Sequence, residues 1–135
     1  MNVCVIDTTV ASLMLQNRPE LSLYASHLAG MSITISFQTV AEMRYGALRN
    51  DWGERRIGEL AAFFRSLTIV ESSSGLTDCW ATIMHEARQA GRRLEAGDAW
   101  IAATALLLNV PLLTHDKDFA VDACPSIIVH RYAAP

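Results

Sequence analysis

Four acidic residues stand where they could bind a metal ion together. Asp7 follows a short apolar run, Glu42 lies in TVAEMRYG, Asp98 begins a long apolar segment, and Asp116 follows the apolar run PLLT. Four carboxylates gathered in one place would repel one another and raise each other's pKa values. A hard divalent cation relieves that repulsion, and carboxylate and water oxygens suit Mg²⁺ or Mn²⁺. Since Mg²⁺ usually takes only one or two protein carboxylates, such a site leaves room for a substrate phosphate.

Each acid also has an ordinary structural interpretation. Asp7 and Asp98 are residues of the type that caps helix N-termini. Thr39 and Glu42 have the spacing of a capping box, and Asp116 suits a solvated turn. On the residues alone, the capping roles and the metal site both stay open.

The apolar pattern predicts short strands that alternate with helices. Strands are predicted at residues 3–6, 32–37, 68–70, 111–114 and 126–129, and helices at 8–16, 19–29, 38–49, 53–67, 76–90 and 98–108. This alternation is typical of an α/β fold with a parallel sheet covered on both faces. Ligands bind such sheets at the carboxyl ends of the strands, near a switch in strand order. That end of the sheet is where we expect the four acids to meet.

Composition narrows the class of protein. The 135 residues fit a single domain, 1–135, and 51% of them are hydrophobic, which indicates a packed core. The net charge of −3 argues against a protein that coats nucleic acid broadly. The longest nearly apolar run, residues 99–108, is half a membrane span, so we expect no membrane association. The N-terminus lacks the basic region of a signal peptide, and we therefore expect a cytoplasmic protein.

Arginines dominate the basic residues and could contact a substrate. Arg92 and Arg93 cluster with Arg88 ahead of Asp98. Guanidinium groups suit bidentate binding of phosphate, so this cluster is a candidate substrate-binding group. The alternative is that these arginines lie on exposed helix faces and form ion pairs with glutamates such as Glu86.

The histidines and tryptophans favour structural roles. The histidines show no metal-ligand spacing, and we expect His115, beside Asp116, to be a solvated turn residue. We expect Trp52, Trp80 and Trp100 to anchor the core or an interface rather than to stack on bases.

Four motifs resemble those of a known family. VIDTTV, TVAEMRYG, GDAWIAATA and LLTHDKDF follow one another as in the PIN-domain ribonucleases, and most closely resemble the VapC-type toxins of toxin–antitoxin pairs. The resemblance runs from Val5 to Phe119. It implies a three-layer α/β/α sandwich with a parallel sheet of four or five strands. It further implies an endoribonuclease that depends on Mg²⁺ or Mn²⁺, forms a homodimer and binds a VapB-like antitoxin.

The resemblance also assigns roles to individual residues. The acids that it assigns to catalysis and metal binding are Asp7, Glu42, Asp98 and Asp116. Thr114 matches a family Ser/Thr that supports the acids by hydrogen bonding, and Thr8 matches the residue after the first acid. Asp118 falls at a less constant position and takes a supporting role.

Two other functions stay open at this point. The chain could be a PIN module that binds RNA or a partner without cleaving, because one sequence does not show that the acids converge. A phosphoryl-transfer enzyme with Asp7 as nucleophile is disfavoured, since Thr9 stands where the haloacid-dehalogenase-like phosphatases need a second aspartate.

Overall fold

Five parallel strands form the centre of the protein. The computed structural model describes residues 2–133. Its strands are β1 (Val3–Ile6), β2 (Ser32–Ser36), β3 (Thr68–Val70), β4 (Leu112–Thr114) and β5 (Val129–Arg131). Their spatial order is β3-β2-β1-β4-β5, and each neighbouring pair is parallel. The chain extends the sheet in one direction from β1 and returns to its other side with β4. The strand order therefore switches between β1 and β4.

Helices cover both faces of this sheet. The α-helices of the described chain are α1 (Thr8–Leu15), α2 (Ala25–Leu28), α3 (Phe37–Arg49), α4 (Glu54–Arg65), α5 (Ser74–Gln89) and α6 (Ala96–Leu108). Val5 and Leu112 pack into a core with residues of α5 and α6, whereas Ile6 and Leu113 pack with α1, α3 and α4. Successive strand residues thus enter opposite cores, as expected for a sheet buried on both faces. The predicted three-layer α/β/α sandwich is confirmed.

Two of the predicted helix caps are wrong. Helix α3 begins at Phe37, because Ser36 ends β2 with extended backbone and its hydroxyl accepts the Gln38 N–H at 3.1 Å. Thr39 and Glu42 therefore lie inside the helix and form no capping box. Helix α6 begins at Ala96, so Asp98 lies in its first turn rather than at its cap.

Two further segments differ from the prediction. Residues 19–29 form a 3₁₀ segment, Pro19–Tyr24, followed by the short α2, instead of one helix. The last strand begins at Val129 instead of Ser126, because Glu86 accepts hydrogen bonds from the Ser126 N–H and hydroxyl and holds it outside the ladder. No helix within residues 2–133 has the length and apolar character needed to cross a membrane.

Candidate active site

Asp7 lies at the switch in strand order and is almost completely buried. It directly follows β1, and its N–H donates to the Leu113 carbonyl of β4 at 3.0 Å. Its Oδ1 caps α1 by accepting the Val10 N–H at 3.0 Å, and it also accepts the Thr9 hydroxyl at 2.6 Å. Its Oδ2 accepts the Thr114 hydroxyl at 2.5 Å. The predicted capping role of Asp7 is therefore confirmed, and it uses only one of the two carboxylate oxygens.

The protonation of Asp7 reflects this burial. Burial raises the pKa of the Asp7 carboxyl against the lowering effect of its hydrogen bonds, and the negative charge of Asp116 adds to the rise. A carboxylate held this firmly has little freedom to move away from its neighbours. Asp7 is therefore a fixed point around which the other acids are arranged.

Thr114 connects Asp7 to the acid that follows β4. Its side chain is completely buried, and its hydroxyl oxygen accepts the Asp116 N–H at 3.1 Å while donating to Asp7. The Asp116 Oδ1 accepts the Asp118 N–H at 2.9 Å. Asp118 thus supports the turn through its backbone, and its own side chain is exposed.

Glu42 is held by a residue of another helix. The Thr8 hydroxyl donates to Glu42 Oε2, and the Thr8 hydroxyl oxygen lies 3.1 Å from the hydroxyl oxygen of the buried Thr39. Thr8 begins α1 directly after Asp7, whereas Glu42 lies in α3. The bond from Thr8 therefore fixes a half-buried carboxylate of α3 beside the end of β1.

Asp98 has the clearest electrostatic signature of the four acids. Burial raises its pKa to about 6, and the charges of Glu42, Asp116, Asp7 and Glu95 add to the rise in that order. Interaction with three acids from three other elements places Asp98 within their common field. The helix that carries it also contacts α3 closely, since a Cβ at Gly97 would lie 2.7 Å from Gln38 Nε2.

A buried tyrosine supports the turn between Thr114 and Asp116. The Tyr24 hydroxyl donates to the Thr114 carbonyl at 2.7 Å, lies 2.7 Å from His115 Nδ1, and accepts the Tyr132 N–H at 3.1 Å. The His115 N–H in turn donates to Thr9 Oγ1 at 2.8 Å. The expectation of a solvated His115 is wrong, because Tyr24 and Thr9 hold its ring and backbone.

Sequence reasoning missed both Tyr24 and Thr9. Tyr24 lies in a segment, residues 19–29, that was predicted only as a helix, and no local pattern connects it with residues 114–116. Thr9 carried a signal, because a hydroxyl two residues after a buried aspartate can bond that carboxylate in an Asx-type turn.

The donor set fits a hard divalent cation. The four acids supply only carboxylate oxygens, and their mutual repulsion is the kind that a cation relieves. Within residues 2–133, no group of three or more acidic, histidine or cysteine side chains is arranged to hold a metal ion by itself.

The arginines divide into two groups. Arg55 forms an ion pair with Glu59 at 3.3 Å, and Arg56 lies 4.0 Å from the centre of the Trp52 ring. Arg88, Arg92 and Arg93 are exposed, in agreement with the alternative interpretation. Glu86 binds Ser126 and takes part in none of the ion pairs of residues 2–133, so that part of the alternative is wrong.

Comparison with known proteins gives a consistent result. The model of the PIN domain family matches residues 4–122. Ribonuclease VapC4 of Mycobacterium tuberculosis is 36% identical over 106 residues, which cover 75% of this chain and 78% of the relative. The VapBC-5 toxin–antitoxin structure from the same organism contains a chain that is 25% identical, with a TM-score of 0.69 and coverage of 98% and 100%. The structure of VapBC2 from Rickettsia felis on promoter DNA contains a chain 24% identical, with a TM-score of 0.79 and coverage of 96% and 98%.

Proposed function

The chain belongs to the PIN domain family and has VapC ribonucleases among its relatives, and on that premise we propose that it is the endoribonuclease toxin of a toxin–antitoxin pair. The observation that carries the proposal is the hydrogen bonding at the switch in strand order, where Thr114 binds both Asp7 and Asp116 and Thr8 binds Glu42. The raised pKa of Asp98, to which Glu42, Asp116 and Asp7 contribute, agrees with it. Carboxylates that repel one another at a switch in strand order are costly to a fold without a ligand. RNA is the substrate class that the ribonuclease relatives support.

We propose Mg²⁺ or Mn²⁺ as the cofactor, held directly or through waters by Asp7, Glu42, Asp98 and Asp116. When bound, such an ion would activate a water and stabilise negative charge on the phosphate and the leaving oxygen. Asp98 and Glu42 are half-buried, so their carboxylates can meet both solvent and a phosphate. The buried Asp7 would fix the position of the carboxylate cluster.

The hydroxyl residues have a positioning role in this proposal. Thr114 and Thr9 hold the two oxygens of Asp7, and Thr8 holds Glu42. These donors favour the charged carboxylates that the site needs at neutral pH. Thr114 ends β4, and Thr8 and Thr9 begin α1 directly after β1, so the carboxyl edge of the sheet would fix the geometry of Asp7 and Glu42.

Cleavage of RNA tests the proposal directly. We expect wild type to cut RNA with Mn²⁺ or Mg²⁺, and EDTA, Asp7→Ala or Asp98→Asn to abolish the cut. Asp78→Asn is the matched control, since Asp78 is exposed on α5 and should leave cleavage unchanged. Cleavage that is equal in every sample would refute the proposal. RNA binding without any cleavage, insensitive to metal and to Asp7→Ala, would instead support a module that only binds.

A VapB-like antitoxin is the partner in this proposal. A groove of about 410 Å³ between α3 and α4 is lined mostly by apolar residues, among them Leu48, Ile57 and Phe64. Leu48 is 79% exposed and Ile57 is 42% exposed, so the groove offers apolar surface for an amphipathic segment. We further propose a homodimer, which light scattering of the purified chain would test.

A further inference from the structure

A second groove lies beside the helix that carries Asp98. It has a volume of about 490 Å³, and its lining includes Trp80, Met84, His85, Arg88, Arg92 and Arg93. We call it the arginine groove. It lies along the C-terminal half of α5 and the loop that leads into α6.

The backbone of this loop brings the arginines together. Gly91 ends α5 with a left-handed φ of +70°, a conformation that favours glycine. The Arg92 N–H then donates back to the Ala87 carbonyl at 2.9 Å, and the Gly91 N–H donates to the Arg88 carbonyl at 3.0 Å. These two backbone hydrogen bonds place Arg92 beside Arg88.

The guanidinium groups have little competition from acids. In the part of the chain that the structure describes, Arg93 pairs with Glu95 at 3.9 Å, and both side chains are largely exposed. An exposed pair at this distance contributes little. Arg88 and Arg92 take part in none of the ion pairs of residues 2–133. The groove is thus a local concentration of positive charge on a chain with a net charge of −3.

Trp80 connects the arginine groove to the acidic site. Its indole N–H donates to the Ala96 carbonyl at 3.2 Å, in the first turn of α6, two residues before Asp98. Its ring lies 5.4 Å from that of Trp100, which in turn lies 5.5 Å from Phe37. These half-buried rings extend from the groove to the N-terminal turns of α6 and α3, the helices that carry Asp98 and Glu42.

Without a cation the acids repel a polyanion, so positive charge elsewhere on the surface would favour its binding. Arginine binds phosphate through paired N–H donors, and a flat indole binds the face of any base. These two contacts together are typical of surfaces that hold single-stranded nucleic acid with little sequence preference.

We propose that the arginine groove binds the RNA strand that flanks the phosphate to be cut. Arg88, Arg92 and Arg93 bind phosphates, and Trp80 stacks on a base. This proposal rests on the proposed ribonuclease function. It also assigns Trp80 a binding role where the sequence predicted only an anchor.

The test measures RNA binding and its dependence on salt. A fluorescent single-stranded RNA is titrated with full-length Asp98→Asn protein, with and without Arg88→Gln and Arg92→Gln, between 50 and 200 mM NaCl. Each phosphate contact to a single strand contributes about 0.7 to the slope of log K against log salt, so two lost contacts reduce the slope by about 1.4. The ratio of RNA affinity at 50 mM to RNA affinity at 200 mM NaCl should then be about sevenfold smaller in the arginine variant than in the parent protein. The matched control is Arg55→Gln with Arg65→Gln, since both arginines are exposed on α4.

Tryptophan fluorescence gives an independent readout. A stacked base quenches indole emission, so oligouridine should quench wild type and Trp52→Phe but much less Trp80→Phe. An unchanged salt slope in the Arg88/Arg92 variant, or equal quenching in Trp80→Phe, would overturn the proposal. Loss of homodimer or antitoxin binding in the arginine variant, with RNA binding intact, would also overturn it and identify a protein contact.

The cleavage assay separates this proposal from the ribonuclease function. We expect the arginine variant to raise KM for a long RNA, and we expect wild type to hydrolyse bis(p-nitrophenyl) phosphate with manganese. If wild type cuts neither substrate, the ribonuclease function is refuted. The binding titration still tests whether the arginine groove binds RNA.

Discussion

Replacing Asp98 by asparagine should stabilise the metal-free protein and at the same time abolish cleavage. The carboxyl of Asp98 is half-buried among other acids, and these surroundings raise its pKa to about 6. At neutral pH the folded protein therefore holds a charge that its surroundings disfavour. Asparagine keeps the shape of the side chain and removes that charge.

The size of the effect follows from the shift in pKa. A rise from 3.8 to about 6 is roughly two pKa units, and at 1.36 kcal/mol per unit this gives an upper bound of about 3 kcal/mol. Solvent reaches part of the carboxyl and screens it, so we expect about 1–2 kcal/mol. The pKa of Asp98 is higher in the folded protein than in the unfolded chain. The contribution of Asp98 to the free energy of unfolding is therefore most favourable below about pH 4 and falls as the pH rises through about 6. The gain from Asp98→Asn should therefore be absent at pH 4 and complete at pH 8.

Urea unfolding in EDTA at pH 4 and pH 8 measures this difference. At pH 8 the variant should gain about 1–2 kcal/mol, or several degrees in Tm for a chain of this size. Asp78→Asn, on the exposed face of α5, should change stability by less than about 0.5 kcal/mol at both pH values. Addition of Mn²⁺ should raise the Tm of wild type more than that of Asp98→Asn, since a ligand of the folded state stabilises it by mass action. A variant that is less stable than wild type at pH 8, or equally stabilised at both pH values, would refute the reasoning.

Three further changes test other parts of the site and its surroundings. Thr114→Val removes the donor to buried Asp7 and should cost about 1–3 kcal/mol and lower kcat at least tenfold, whereas Thr114→Ser should keep both near wild type by urea unfolding and RNA cleavage. Tyr24→Phe removes the hydroxyl that holds the Thr114 carbonyl and should lower kcat while KM for RNA stays constant; a change in KM alone would contradict a positioning role. Leu48→Asp places a charge in the groove between α3 and α4 and should abolish co-purification with the antitoxin without loss of cleavage, and an intact complex would exclude that groove.

Much of the fold could be predicted because its signals are local. Short apolar runs that lead to Asp7 and Thr114 predicted β1 and β4, the strands at the switch in strand order. The positions of Asp7 and Asp116 at the carboxyl ends of β1 and β4 followed from the parallel topology. The hydrogen-bonded neighbours of Asp7 on β4 then lie where that topology predicts them.

The errors arose where a distant residue competes with a local pattern. The predicted strand from Ser126 fails because Glu86, 40 residues earlier, binds its N–H and hydroxyl. The capping box fails because Ser36 caps the helix one turn earlier. His115 was expected to be a solvated turn residue beside Asp116, yet Tyr24, 91 residues away, holds its ring.

Asp7 shows why the capping and functional interpretations of an acid are compatible. Its two carboxylate oxygens have different partners. Oδ1 accepts the Val10 N–H and caps α1, whereas Oδ2 accepts the Thr114 hydroxyl of β4. The cap rigidifies the residue that the site needs rigid, and the same burial raises its pKa. Loss of Asp7 therefore removes a helix cap and an acid of the site together, which makes its effect on stability and activity hard to separate. Asp98 makes the better test, because it caps no helix and the repulsion it suffers from the other acids can be removed without loss of a structural bond.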